Sequence, residues 1–237
     1  MPRIFQFFRR KLLNENAIGK YLLYAFGEIL LIVAGIFIAL QINASYEDKK
    51  RQGNEISHLR ELQVNLIQEV EYLNDRIERI TVRLDRIDRL KVLISSEEDP
   101  PEDIGSLISA TLGGQSYWPY RTAYEVLKAE GFPIENRKLK LAIADYYETQ
   151  QSHLEGQVDN LSFSFRTFGI PYVRDHLYSA DNPIPIDYHN PGFRKVTLTN
   201  SLHFGFLLER FRLSAENLLE KNKELTSLID VELNGLK

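Results

Sequence analysis

A long apolar segment near the N-terminus constrains this chain more than any other feature. Residues 21–43 read YLLYAFGEILLIVAGIFIALQIN, and only Glu28 among them carries a formal charge. An α-helix rises about 1.5 Å per residue, so a helix of this length spans the roughly 30 Å hydrocarbon core of a bilayer. The sequence therefore predicts a transmembrane helix at residues 21–43, with the lipid bilayer as its surroundings.

The same segment leaves two other interpretations open. Its strictly apolar part, residues 29–40, is short enough for a cleaved signal peptide, and small residues follow it. Against cleavage, the helical pattern continues through Tyr46 and the basic residues are spread over a long leader. A buried helix of a soluble core is disfavoured by the charges on both sides. We therefore favour an uncleaved anchor.

The distribution of charge predicts the orientation of this anchor. Residues 1–20 contain five Lys or Arg and a single acidic residue, whereas residues 44–237 contain 24 basic and 31 acidic residues. Basic flanks of a membrane helix stay in the cytoplasm. We expect a basic cytoplasmic or interfacial leader at 1–20 and an extracytoplasmic domain at 44–237.

Composition excludes several classes of function. The chain has no Cys, so disulfides, thiolate chemistry and Cys-based metal sites are excluded. The acidic outer domain argues against nucleic-acid binding, which requires clustered positive charge. The five His residues lack metal-ligand spacing, and no Gly-rich phosphate loop, HExxH pair or GxSxG elbow occurs. We expect no cofactor and no metal.

Beyond the anchor, apolar residues recur three and four apart, as in coiled coils. They predict a helix over residues 44–96 whose apolar seam is interrupted at Gln63 and Lys91. The seam consists of Ile56, Leu59, Leu66, Val70, Leu73, Ile77, Ile80, Leu84, Ile87 and Ile94.

The rest of the chain also has helical periodicity, and we see no strand pattern of note. The predicted elements are helices at 103–112, 121–130, 136–171 (ended by Pro171) and 200–233, with a Pro-rich loop at 178–193. The predicted fold is all-α: a single N-terminal transmembrane helix that continues into an elongated antiparallel helical bundle.

Two stretches carry a resemblance to a known family. The first is GEILLIVAGIFIALQIN at 27–43; the second comprises Tyr124-Glu125-Val126-Leu127, Gly131, Leu139, Ile143, Tyr146 and Tyr147. Together they resemble an uncharacterised bacterial family, domain of unknown function 6090. Tyr46 lies near where the family often has Trp, and it can take the same headgroup position. The resemblance implies a single-pass inner-membrane protein with a periplasmic helical domain, and no activity.

Within the membrane helix, small residues provide a candidate packing face. Gly27, Gly35 and Ala39 recur at multiples of four, a spacing that lets two membrane helices approach closely. Glu28 lies near the cytoplasmic end of the span, where it can stay hydrated or pair with Lys20 of a second copy. The face predicts self-association, although such spacing also occurs by chance.

Six aromatic residues form the candidate ligand or partner surface. They are Tyr117, Trp118, Tyr120, Tyr124, Tyr146 and Tyr147. One interpretation is that the first four line a pocket at the membrane-distal end of the bundle, since aromatic side chains with polar tips suit small ligands and peptides. The other is that they cap the bundle core. Adjacent Tyr146 and Tyr147 point about 100° apart on a helix, so we expect one in the core and the other partly solvated.

These features leave three functional hypotheses. The favoured one is an envelope scaffold whose seam binds a second copy or another envelope protein. The second is a sensory subunit that binds an unknown small ligand and signals through a partner protein inside the cell. The third, a membrane-anchored enzyme, is the weakest because no catalytic constellation is visible in the sequence.

Overall fold

A computed structural model describes residues 18–96, 98–179, 182–183 and 186–236. The leader predicted at 1–20 lies almost entirely outside the described residues. The described chain is helical nearly throughout, which confirms the predicted all-α fold. Its only extended elements are two two-residue strands, β1 and β2, which pair antiparallel.

The helices are α1 (Ile18–Ser95), α2 (Ile104–Ser109), α3 (Thr122–Ala129), α4 (Arg137–Ala144), α5 (Gln151–Ser164), α6 (Ile170–His176) and α7 (Pro191–Gly235). Two π-helical turns, Asp145–Gln150 and Phe165–Gly169, join α4 to α5 and α5 to α6, so helical structure continues from Arg137 to His176. The strands are β1 (Tyr178–Ser179) and β2 (Asn182–Pro183).

The chain divides into two compact units, Met1–Asn54 and Glu55–Lys237. In the first unit, the described residues form the N-terminal part of α1. Its apolar segment is not buried by any other part of the described protein, and α1 is long and apolar enough to cross a membrane. This part of α1 matches the segment from which the sequence predicts a membrane span.

In the second unit, the chain after α1 returns along it in the opposite direction. The Arg83 side chain donates to the carbonyl of Ala110 at 2.6 Å. Further along the return, the Ala123 N–H donates to Asn65 Oδ1 at 2.9 Å. The Glu135 N–H then donates to Glu55 Oε1 at 3.1 Å. Residues 110–135 therefore lie antiparallel to α1.

The remaining helices add two more layers. Gln151 of α5 bonds to Glu69 of α1 at 2.6 Å, and Tyr172 of α6 bonds to Thr197 of α7 at 2.8 Å. At the other end of α7, Glu232 accepts from Asn136 at 2.5 Å. The helical run 137–176 is thus antiparallel to α7, and the four layers alternate in direction, as in the predicted bundle.

The apolar seam of α1 lies in the core. Leu59, Leu66, Leu73, Ile80, Ile87 and Ile94 are buried as predicted, and the predicted Ile56, Ile77 and Leu84 are partly buried and pack against the same core. A further row of α1 also faces inward: Leu62, Glu69 and Leu90 are buried, and Arg76 and Arg83 are partly buried. The prediction missed the three charged positions because it followed apolar residues.

Two predicted helix ends are also wrong. Helical structure passes through Pro171, because the proline occupies the first turn of α6 just after a π-helical turn, where its missing N–H is tolerated. The last helix begins at Pro191 rather than near 200. Its N-terminus is capped by Asn190 Oδ1, which accepts from the N–H groups of Gly192 at 2.8 Å and Phe193 at 3.2 Å.

Candidate functional site in the bundle core

A carboxylate lies in the middle of the bundle core. Glu69 of α1 has no solvent exposure. The Tyr117 hydroxyl donates to its Oε1, and Gln151 Nε2 donates to its Oε2 at 2.6 Å. Both donors are neutral side chains. Glu69 therefore joins three layers of the bundle without a directly bonded cation, an unusual environment for a buried carboxylate.

Both adjacent tyrosines at the start of the π-helical turn are also buried, so the expectation that one is partly solvated is wrong. Tyr147 stacks on Tyr124 of α3, with ring centroids 4.6 Å apart. Tyr146 faces α7, where Asn222 Nδ2 donates to its hydroxyl at 3.0 Å. The two side chains point in directions about 100° apart, but a different layer of the bundle covers each ring. Neither ring is therefore exposed to solvent.

The core around Glu69 contains two polar atoms without hydrogen-bond partners. These are the Tyr147 hydroxyl and Gln151 Oε1, and both residues are almost completely buried. An unpartnered buried polar atom costs about 1–3 kcal/mol. Such atoms mark a place where a proton, a water molecule or a ligand atom would stabilise the protein.

Burial dominates the electrostatics of this site. It raises the pKa of Glu69 to about 7, against the opposing effect of the hydrogen bonds from Tyr117 and Gln151. It also raises the pKa of Tyr117, Tyr146 and Tyr147 well above the usual value, and the charge of Glu69 adds to this. The three hydroxyls therefore remain protonated.

Arginines hold the segment that covers Glu69. Arg83 donates hydrogen bonds to three backbone carbonyls of this segment, that of Ala110 at 2.6 Å and those of Leu112 and Gly113 at 2.8 Å each. Burial lowers the pKa of Arg83 to about 10, so it stays cationic at neutral pH. Arg121 pairs with Glu155 of α5 at 3.1 Å.

A surface groove lies beside α3. Its walls are Tyr124, Lys128, Phe132, Arg137, Lys140, Leu141, Ala144 and Glu148. Phe132 has a left-handed backbone (φ 62°), which is strained for a bulky residue. Its carbonyl accepts from Lys140 Nζ at 3.2 Å, and the same ammonium lies 5.1 Å from the centre of its ring. The lining of the groove combines apolar side chains with three cationic ones and with Glu148, which pairs with Lys128 at 2.7 Å.

The four aromatic residues of the predicted pocket, Tyr117, Trp118, Tyr120 and Tyr124, do not face one open pocket. Tyr117, Tyr124, Tyr146 and Tyr147 are buried, whereas Trp118 is 74% exposed and Tyr120 is 37% exposed. The residues after 116 lie beside Tyr72 of α1, whose hydroxyl donates to the Ser116 carbonyl at 3.0 Å. The group therefore lies along the middle of the bundle, and the predicted position at its distal end is wrong.

The predicted packing face of the membrane segment is open. Gly27, Glu28, Gly35 and Ala39 are all exposed. A Cβ atom added at Gly27 or Gly35 would meet nothing within 4 Å. Within the protein as described, this face is available to lipid or to another helix.

Sequence reasoning missed the residues at the centre of the site. Glu69 and Arg83 look like ordinary flanking charges of an amphipathic helix, yet both lie at core positions of α1. The signal that could have found them was present. A seven-residue spacing separates Leu62, Glu69, Arg76, Arg83 and Leu90, so the charged members repeat at the spacing of buried ones.

In comparisons with known proteins, no family model, no curated protein and no solved structure matches this chain. The resemblance to domain of unknown function 6090 therefore stays a prediction. Among the residues that the structure describes, no group of three or more His, Asp or Glu side chains is placed to hold a metal ion. Function must be argued from the geometry itself.

Proposed function

We propose that this protein is a membrane-anchored interaction and scaffolding module of the bacterial cell envelope. Residues 21–43 hold it in the inner membrane, with residues 1–20 in the cytoplasm and the bundle within 44–237 in the periplasm. The observation that carries this proposal is the uncovered apolar segment of α1, in which side chains such as Leu23 and Phe37 are more than 60% exposed. A continuous apolar surface of this size is stable only against lipid or another apolar partner.

The partner contact is on the outside of the bundle. The seam of α1 was expected to bind a second copy or another envelope protein, but its side chains are covered by this chain's own helices. Trp118 is the best placed contact residue. It is 74% exposed, yet the segment that carries it is anchored before Trp118 by the Tyr117–Glu69 hydrogen bond and after it by the Ala123–Asn65 hydrogen bond. A large aromatic side chain held in a fixed position is typical of an interaction hot spot.

Photo-crosslinking in intact cells tests this contact. A photoreactive amino acid at Trp118 should give a discrete crosslinked product, either a second copy or another envelope protein. The matched control is Val231 of α7, which is 69% exposed and lies in a different layer. No product at Trp118, or the same products at both positions, would contradict the proposed surface.

The absence of Cys allows a clean test of orientation. A Cys introduced at exposed Lys223 should react with a membrane-impermeant maleimide once the outer membrane is permeabilised. A Cys at Arg10 should react only after the inner membrane is broken. The reverse pattern would place the bundle in the cytoplasm and contradict the proposal.

The second candidate function is small-ligand sensing, which the groove beside α3 favours. Its cationic and apolar side chains suit a small anion with an apolar body, and strained backbone such as that of Phe132 is often found at ligand sites. A panel of such compounds should contain one that raises the melting temperature. Lys140→Ala should reduce that increase, whereas Lys138→Ala, an exposed neighbour outside the groove, should not.

A further inference from the structure

We propose that the carboxyl of Glu69 is a reversible proton-binding site in the bundle core, and that loss of its proton favours opening of the segment that covers it. This inference does not depend on the proposed scaffolding function. It gives a chemical role to Glu69, a buried group that neither membrane anchoring nor partner binding at the outer surface requires. The ligand is a proton.

The first argument is the pattern of donors and acceptors. Glu69 receives hydrogen bonds from two neutral groups, Tyr117 and Gln151, and the backbone of Tyr120 also donates towards it. The 2.6 Å contact with Gln151 is compatible with both charge states. Nε2–H donates to an ionised carboxylate; after a half-turn of the amide, a protonated carboxyl donates its O–H to Gln151 Oε1 instead. No movement of the backbone is required to take up the proton.

A second feature of the site is an amide oxygen without a donor. Gln151 Oε1 is buried and accepts no hydrogen bond. A proton on Glu69 supplies the donor that this amide oxygen lacks. After the half-turn, Oε1 accepts from the protonated carboxyl and Nε2 takes the former position of Oε1, so one hydrogen bond joins the two side chains in either charge state and proton binding costs none.

The second argument is the balance of charge around the site. On α1 itself, Arg76 lies one heptad further along and its guanidinium rests on the Tyr72 ring at 5.0 Å. The covering segment contributes Tyr117 and Arg121, and the latter is paired with Glu155 of α5. The π-helical turn contributes the neutral hydroxyls of Tyr146 and Tyr147. The two remaining helices contribute neutral amides, Gln151 from α5 and Asn222 from α7. Among these groups, Arg121 is the one charged group that lowers the pKa of Glu69, and it does so without a hydrogen bond to it; the neutral donors Tyr117 and Gln151 and the Tyr120 backbone act in the same direction.

The consequence of ionisation follows from what covers the carboxylate. An ionised carboxylate in an apolar core is stabilised most by water. Residues 115–121, which cover Glu69 on one side, form neither helix nor strand, whereas α1 and α5 are helices. Within this covering segment, the Trp118 side chain is already exposed to solvent. This segment is the cover that opens at the lowest cost. Proton release from Glu69 therefore favours its opening, by about tenfold for each unit by which the pKa differs between closed and open forms.

Infrared titration of the full-length protein in nanodiscs tests proton binding. The wild-type protein should show a protonated-carboxyl C=O band that disappears between about pH 6 and about pH 8, where exposed carboxyls are already ionised. Glu69→Gln should remove this band. Glu71→Gln, an exposed neighbour on the same helix, should retain it. A wild-type protein without such a band, or an unchanged band in Glu69→Gln, would overturn the proposal.

Hydrogen exchange tests the coupling to the covering segment. After correction for the intrinsic pH dependence of exchange, protection of residues 115–121 should fall as the pH rises in the wild type and in Glu71→Gln, but stay constant in Glu69→Gln. An equal fall in all three would overturn the coupling. Tyr117→Phe provides a second variant should Glu69→Gln not fold. It removes a donor that favours the ionised form, so the midpoint of the infrared titration should shift to higher pH; a shift to lower pH contradicts the assignment.

Discussion

The side-chain amide of Gln151 lies 2.6 Å from the carboxylate of Glu69, although 82 residues separate them in the sequence. This contact joins α5 to α1 in the centre of the bundle. Glu69 is a titratable group at a core position where an apolar residue is expected. Its surroundings include neutral tyrosine hydroxyls, and its side-chain hydrogen-bond donors are not cations. Burial of this carboxyl raises its pKa, so we expect the stability of the bundle to depend on pH.

The first prediction concerns this pH dependence. The pKa of Glu69 is raised in the folded protein from 4.5 to about 7, so the folded state binds the proton more tightly than the unfolded state. Its contribution to stability is fully present below about pH 4.5 and is lost as the pH rises through about 7. Relative to Glu69→Gln, the free energy of unfolding of the wild type should fall by about 3 kcal/mol over this range.

Denaturant unfolding of both proteins across the same pH series measures this difference. Every other group, including Glu55 with its own raised pKa, is common to the two proteins and cancels. A difference that stays constant with pH would show that Glu69 does not titrate in this range.

The second prediction concerns Arg83. Arg83→Met keeps much of the apolar stem but leaves the carbonyls of Ala110, Leu112 and Gly113 without their donor. We expect a loss of about 2–4 kcal/mol in the free energy of unfolding, because buried acceptors are left unpaired. Arg79→Ala is the matched control, since that exposed side chain pairs only with Asp75 of its own helix, and it should cost less than about 0.5 kcal/mol. Equal effects of the two variants would rule out the anchoring role of Arg83.

The third prediction compares two glycines with open space around them. Gly131 has a left-handed backbone (φ 81°), whereas Gly156 lies within α5, and an added Cβ meets nothing within 4 Å at either position. Gly131→Ala should destabilise the protein by about 1–2 kcal/mol through backbone strain alone. Gly156→Ala should stabilise it by about 0.5–1 kcal/mol, because alanine is the better helix former. Thermal unfolding of both variants checks the opposite signs, and a stabilising Gly131→Ala would contradict the turn geometry.

The fourth prediction tests self-association through the membrane helix. A Cβ atom added at Gly35 would meet no atom of the described protein within 4 Å. Gly35→Ile should therefore leave the bundle's unfolding unchanged but weaken a helix pair that packs on the face of Gly27, Gly35 and Ala39. Val33→Ile adds bulk on the opposite side and is the control. Förster transfer between labelled copies in liposomes measures the pairing, and equal transfer for both variants and the wild type would exclude this face as the contact.

Some features of the fold could be predicted because they depend on local patterns. The apolar run at 21–43 and the recurrence of Leu59, Leu66 and Leu73 follow from hydrophobic periodicity, which neighbours in the fold do not alter. The helix boundaries were less predictable. Pro171 interrupts a helix in most contexts, and it is tolerated here because it lies in the first turn of α6, directly after a π-helical turn.

The candidate site could not be predicted, because its residues come from distant parts of the chain. Apart from its seven-residue spacing from Leu62, nothing local distinguishes Glu69 from exposed Glu71 two residues later. What separates them is which face of α1 meets the covering segment and α5. The burial of both Tyr146 and Tyr147 likewise depends on α3 and α7 lying on two sides of the same turn.

The amino-acid sequence alone determined the helical character of this protein, its long apolar N-terminal segment and the six apolar residues from Leu59 to Ile94 that repeat every seven positions. Each of these follows from side-chain polarity at a fixed helical spacing. The tertiary structure decided which charged residues face inward, because only the antiparallel return of residues 110–135 supplies the carbonyls and hydroxyls that make a buried Glu69 and a buried Arg83 stable.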